Sequence, residues 1–240
     1  TSYTPPADFE IGRFNVWLRT VYAGGLTSSW SAPVNINIDT PVTLNSIPLL
    51  QTAPRPMISW AALPGAVKYD LWLDQTSTGQ SQFVRETALT TTSWTPSFDL
   101  PMAGYRVWVR GIDAEGAARN WSALMDFNVV PVPMLTGPSN LTLLLRPTFT
   151  WNPIAGAASY DVWIRNATTQ QNPYILTTVT SANYTPPADM EIGRFNVWLR
   201  SRSVYGHVSG WSPSVNININ TPVTVNPMPL VQTTPRPTVS

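Results

Sequence analysis

The stretch that decides the fold is Gly193-Arg194-Phe195-Asn196-Val197-Trp198-Leu199-Arg200. It recurs unchanged at residues 12–19 and, as Gly104-Tyr105-Arg106-Val107-Trp108-Val109-Arg110, at residues 104–110. An extended chain throws successive side chains to opposite faces, so Phe195, Val197 and Leu199 share one face and Asn196, Trp198 and Arg200 the other. This alternation predicts a half-buried antiparallel strand in each copy, apolar side inward. The tryptophan on the polar side is the residue that any functional reading has to explain.

Outward from these copies the chain repeats itself. Tyr3-Thr4-Pro5, Trp94-Thr95-Pro96 and Tyr184-Thr185-Pro186 lie 91 and 90 positions apart, and Trp60 and Trp151 differ by 91. Offsets that agree along the whole length mean tandem units of about ninety residues. A longer period is sharper still. Tyr3–Arg19 differs from Tyr184–Arg200 only at Phe9 against Met190, Thr40-Pro41-Val42-Thr43 recurs as Thr221-Pro222-Val223-Thr224, and Gln51–Pro56 returns nearly unchanged as Gln232–Pro237, all at an offset of 181. The underlying repeat is therefore a pair of unlike units. The expected division is 1–40, the closing half of a first repeat; 41–131 and 132–220, two complete repeats; and 221–240, the start of a fourth. Thr1 aligns with Ala182, and Ser240 with Ser59 and Thr150, so both ends are expected to fall inside a repeat and the chain to be a window of a longer repetitive polypeptide.

Composition narrows the class. Twenty-four prolines cut the sequence into short segments, and no window sustains helical periodicity for three turns. Thr148–Trp151, Tyr160–Ile164, Gly193–Arg200 and Val215–Ile219 read as strands bounded by Pro, Gly or Asn, the spacing of an all-β sandwich. Charged residues are 11% of the chain and the net charge is +1, a balance that fits neither nucleic acid nor an anionic membrane surface. Thirteen of the fourteen cations are arginine, the residue suited to stacking and forked hydrogen bonds. Cysteine is absent, which removes disulfides and thiolate chemistry. Apolar runs such as Leu141–Leu145 are too short to cross a bilayer as a helix. The joints at Asp39–Pro41, Val130–Pro133 and Asn220–Pro222 carry proline and predict semi-rigid linkers; Ile47–Leu50 and Pro227–Val231, apolar for linkers, are expected to pack at a junction or on a neighbouring chain.

Each unit runs in one order: an Arg-Pro-x-x-x-Trp strand (Arg146–Trp151), a Tyr-Asp-x-Trp strand (Tyr160–Trp163), a Tyr-Thr-Pro corner, the Gly-Arg-Phe-Asn-Val-Trp-Leu-Arg strand, and a Trp-Ser turn before the last strand (Trp211-Ser212, Val215–Ile219). This order resembles the fibronectin type III domain. Trp60 and Trp151 match the family's buried second-strand tryptophan, Tyr69 and Tyr160 its third-strand tyrosine, and Gly206-His207-Val208-Ser209-Gly210-Trp211-Ser212 its Gly-x-x-Ser-x-Trp-Ser ending. The resemblance implies immunoglobulin-like Greek-key sandwiches strung in tandem, serving as an extracellular spacer or binding module without catalysis. No Arg-Gly-Asp tripeptide occurs, so the integrin-binding role of some members finds no support.

In such a sandwich the third strand pairs with the repeated octapeptide strand, which brings Trp163 to Trp198 and Trp72 to Trp108 on one outer face. Arg200, Arg110 and Arg19 stand two residues beyond Trp198, Trp108 and Trp17 on that face, Arg165 two beyond Trp163, and Trp211, Trp121 and Trp30 are placed to join from the neighbouring edge. The predicted ladder of indoles and guanidiniums is similar to the Trp-Ser box of cytokine receptors. Three uses stand open for it: stiffening each domain, contact between neighbouring copies in a fibre or lattice, and a platform for surface glycans.

Chemistry has few carriers. His207 is the only histidine and has no counterpart in the other repeats. Asp8/Glu10, Asp113/Glu115 and Asp189/Glu191 read as solvated loop charge, with Arg194 available to the last pair, and lack the further oxygens that calcium needs. No catalytic, metal or cofactor site is expected, and no enzyme. Asn120, Asn140, Asn166 and Asn183 stand in Asn-x-Ser/Thr sequons, glycan acceptors in a eukaryotic secreted protein. The reading that results is a structural segment of a large repetitive bacterial surface or extracellular protein, building a fibre, stalk or coat with other copies of itself; an adhesin or carbohydrate-binding array is the alternative.

Overall fold

A computed structural model describes residues 2–222; Pro227–Val231, Gln232–Pro237 and the rest of the expected fourth repeat from residue 223 lie outside the described residues. Among the described residues all regular structure is β, in two compact units that divide between Pro131 and Val132.

In the first unit β1 (Gly12–Val16) pairs antiparallel with β2 (Val34–Ile38). Then come β3 (Leu50–Gln51), β4 (Ile58–Ser59), β5 (Ala66–Gln75), β6 (Gln80–Leu89), β7 (Ser93–Trp94), β8 (Ala103–Asp113) and β9 (Met125–Val129). One five-stranded sheet runs β3-β9-β8-β5-β6, and β4 pairs with β7 in a second layer. Between the layers Ile58 and Trp94 from one sheet meet Leu71, Leu73, Val107 and Val109 from the other, all buried. Each such side chain removed from water contributes roughly 1.5–3 kcal/mol. Trp60 meets Tyr69 edge-on at 5.4 Å, and the Tyr69 hydroxyl accepts from the Leu63 amide at 3.0 Å, tying the β4–β5 turn to the core.

The segment before residue 41 is seated on this sandwich. Ile11, only 6% exposed, joins the core cluster beside Leu63, and its amide donates to Pro64 O at 3.1 Å. Gly65, at φ +84°, admits that approach: a Cβ there would stand 2.9 Å from Ile11 O. Across the same junction Arg119 donates to Asn37 Oδ1 at 3.0 Å and the Asn120 amide to Asp39 Oδ1 at 2.9 Å.

The second unit repeats the plan with β10 (Leu135–Gly137), β11 (Asn140–Thr142), β12 (Phe149–Trp151), β13 (Ala157–Asn166), β14 (Ile175–Val179), β15 (Asn183–Tyr184), β16 (Gly193–Ser203) and β17 (Val215–Ile219). A five-stranded sheet runs β11-β17-β16-β13-β14 against a three-stranded β10-β12-β15. Its core sets Phe149 and Trp151 against Val162, Ile164, Phe195, Val197 and Leu199. Trp151 meets Tyr160 at 5.4 Å, as Trp60 meets Tyr69.

The octapeptide at residues 12–19 departs from expectation. It forms only the five-residue β1, and Leu18, on the nominally inward face, is 69% exposed. Among the described residues β1 has one neighbouring strand and no opposing sheet, so its inward face has nothing to be inward of.

Candidate functional site

The outer face of each large sheet carries the tryptophans and arginines, and the register of the strands puts them there. In the second unit Trp163 lies directly opposite Trp198, and in the first Trp72 opposite Trp108. The Trp163 and Trp198 rings are 5.0 Å apart at 33°, and Trp211 meets Trp163 edge-on at 5.4 Å. In the first unit Trp72 meets Trp108 at 6.5 Å and Trp121 at 5.9 Å, crossing at 73° and 85°. All six indoles are half-buried.

The Trp-Ser turn explains how the third indole reaches the face. Ser212 closes a rung with Leu199: its amide donates to Leu199 O at 2.7 Å, while its hydroxyl accepts from the Leu199 amide at 3.0 Å. Ser122 does the same to Val109 and Ser31 to Leu18. A serine side chain thus stands in for a missing strand partner, and the tryptophan before it is turned over the arginine of the adjacent strand. Arg200 lies 4.5 Å above the Trp211 ring, Arg110 4.4 Å above Trp121, and Arg19 4.7 Å above Trp30.

A buried carboxylate fixes the arginines. Asp70 holds Arg85 by a fork, Nε and Nη2 each at 2.6 Å, and Arg110 Nε at 2.9 Å. Arg85 in turn stands 4.8 Å from the Trp72 ring and 5.0 Å from Trp121. Asp161 takes Arg200 Nε at 2.5 Å, Arg202 Nε at 2.8 Å and the Thr178 hydroxyl at 2.6 Å. Burial alone would push the Asp161 carboxyl up; these three donors outweigh it and hold the carboxyl below its ordinary range. Both carboxylates are buried although they point outward, because arginine and tryptophan roof them over.

Asp70, Asp161, Arg85 and Arg202 were not among the residues singled out from sequence. The Tyr-Asp-x-Trp pattern, with its acid two residues before an outward tryptophan, was the available signal for the aspartates. Arg85 sits on β6, whose sequence shows no repeat of the motif. Three expectations are corrected, and one open question, the sequon at Asn166, is narrowed. Arg165 stacks on no ring and donates to Gln170, its Nε buried without a partner among the described residues. Asp113 is not solvated but buried against Arg119. Glu191 accepts from Asn166 Nδ2 at 2.8 Å, and Arg194 is not its partner. Asn166 itself is fully buried, its Oδ1 accepting from the Thr168 and Thr169 amides, so this sequon presents no acceptor for a glycan. In the first repeat Trp17 and Trp30 are exposed, with no third-strand tryptophan among the described residues to meet them.

Among the described residues no three histidines, aspartates or glutamates gather as a metal site, and no helix is long and apolar enough to cross a membrane. No protein-family profile and no curated protein sequence matches the chain. The structure is similar to a two-domain fibronectin type III segment of chicken tenascin, with a TM-score of 0.51 and 13% identity over 75% of this chain and 98% of that one. The fold is that of tandem fibronectin type III domains. The first three fibronectin domains of chicken CNTN1 also match, at 13% identity over 85% of this chain and 77% of theirs, but with a TM-score of 0.31 that likeness carries no argument.

Proposed function

We propose that the chain is a non-enzymatic structural segment of a long tandem-repeat extracellular polypeptide, whose sandwiches build a fibre, stalk or surface coat by contact with one another and with other copies. The observation that carries this reading is the recurrence of one build in each of the three repeats among the described residues: an outward indole capped by arginine over a Trp-Ser turn, at Trp30, Trp121 and Trp211. Repetition of a feature in every unit suits architecture, where each copy has the same work, better than selective capture of a ligand. The repeats at 1–40, 41–131, 132–220 and 221–240 are its modules, and the cell exterior is its place. In the first unit the indoles cross at 73° and 85° and offer no flat floor to a sugar ring, which weighs against the carbohydrate reading there.

Electron microscopy of the native assembly tests it. Regular rods or sheets with a repeat of two sandwiches are expected. Isolated chains that bind a soluble glycan and never self-associate would overturn it in favour of an adhesin array.

A further inference from the structure

The junction inside the first unit has a duplicate elsewhere that stands exposed among the described residues. Three groups of the first repeat make that junction: Ile11, Asn37 and Asp39, which meet the Leu63-Pro64-Gly65 turn, Arg119 and the Asn120 amide. At the offset of 181 they become Ile192, Asn218 and Asn220, on the same end of the third repeat. Ile192 is 58% exposed against 6% for Ile11, and Asn218 and Asn220 are exposed too. The second repeat carries Met102 and Val130 where the others have Ile and Asp or Asn, although it keeps Asn128, so the set as a whole belongs to one repeat type. The receiving groups belong to the other type. Where the second repeat has Leu63-Pro64-Gly65 and Arg119, the third has Ile154-Ala155-Gly156 and Ser209. Ser209 spends its hydroxyl and amide on the Ser201 rung of its own sheet, whereas Arg119 reaches across to Asn37.

We infer that the Ile192, Asn218 and Asn220 face is a docking site for a sandwich of the second-repeat type, carried on the same chain after Pro222 as the second repeat is carried after Pro41. Ile192 enters beside that sandwich's Leu-Pro-Gly turn, where the glycine leaves room for the isoleucine carbonyl. Asn218 accepts from the arginine at the position of Arg119, and Asn220 replaces Asp39 as acceptor of the next backbone amide, since its Oδ1, which takes the Thr221 amide at 2.8 Å, keeps a second lone pair. The joint keeps its residues: Asp39-Thr40-Pro41 becomes Asn220-Thr221-Pro222. Unlike ends that fit only each other make the repeats alternate in a set order, a head-to-tail contact that extends without closing. This inference deepens the structural reading above and rests on it only for the supply of such a sandwich.

The test lengthens the full chain by appending residues 60–131 after Ser240, which aligns with Ser59, so that a second-type sandwich follows the third repeat. Amide exchange at Ile192 and Gly193 should slow about tenfold or more relative to the unextended chain. Ile192→Asp should restore fast exchange in the extended chain and leave the stability of the unextended chain unchanged. Unaltered exchange at Ile192 and Gly193, with the appended copies of Val107 and Val109 protected, would overturn the proposal. So would equal slowing when the appended block is supplied as a separate chain, because the site would then not be a joint. Protection at Ile192 in a protein that forms no assembly leaves the docking site standing and removes the polymer reading.

Discussion

Residues 12–19 and 193–200 spell the same octapeptide and do not form the same structure. The first yields a strand of five residues with one neighbour; the second sits in a strand of eleven between β13 and β17. Leu18 is 69% exposed and Leu199 not at all. Alternation decides which side chains share a face, but only the neighbouring strand and opposite sheet decide whether that face is an interior. Strand propensity is in this sense a property of surroundings.

The contrast breaks most easily at the leucines. Leu199→Ala should cost about 2–5 kcal/mol, and Leu18→Ala no more than about 0.5 kcal/mol, read from urea unfolding; equal losses would mean that Leu18 is covered in solution. The second repeat sharpens the contrast at pH extremes, because Tyr105 stands where the third has Phe195. Burial raises the Tyr105 phenol from 10.0 to about 12, against the Gln75 hydrogen bond that lowers it. A raised pKa stabilises below the unfolded value and is lost above it, so the first unit should weaken by roughly 2–3 kcal/mol between pH 10 and 12. Tyr105→Phe should flatten that decline in an alkaline denaturation series.

Asp161 acts at the opposite end of the scale. Its depressed carboxyl stabilises above the ordinary carboxylate range, and that contribution fades as pH falls through the folded value. Asp161→Asn should cost about 1–3 kcal/mol at neutral pH and reduce the acid dependence of the second unit; an unchanged acid limb would remove Asp161 from the account. The smallest effect is expected at the turn tryptophans. Trp211→Ala should lose about 0.5–2 kcal/mol of stacking on Arg200, and Trp30→Ala, on its exposed arginine, only the lower part of that range; calorimetry of the two variants ranks them.

Much of the sandwich was legible because its signals are local or periodic. Trp60, Trp151, Tyr69 and Tyr160 announce the cores, the period-two pattern puts Trp163 and Trp198 on outer faces, and the resemblance to the fibronectin type III sandwich, which pairs their strands, implies that the two meet, as they do. What stayed hidden depends on meetings between elements far apart in the chain. Arg85 reaches Asp70 across a strand pair, Arg202 joins Asp161 only because β16 runs on past Arg200, and Asp113 is buried by an arginine that the other repeats lack. Asn166 looks like any sequon until the loop after β13 folds back and uses up its amide.

The parallel pairing of β11 with β17 has a consequence for load. Asn140, Leu141 and Thr142 lie beside Ile217, Asn218 and Ile219, and β3 lies beside β9 in the same sense. Tension entering the second unit ahead of β11 and leaving beyond β17 drags these two strands past each other lengthwise. The rungs must then yield together in shear instead of unzipping one by one, a geometry suited to a domain that is pulled.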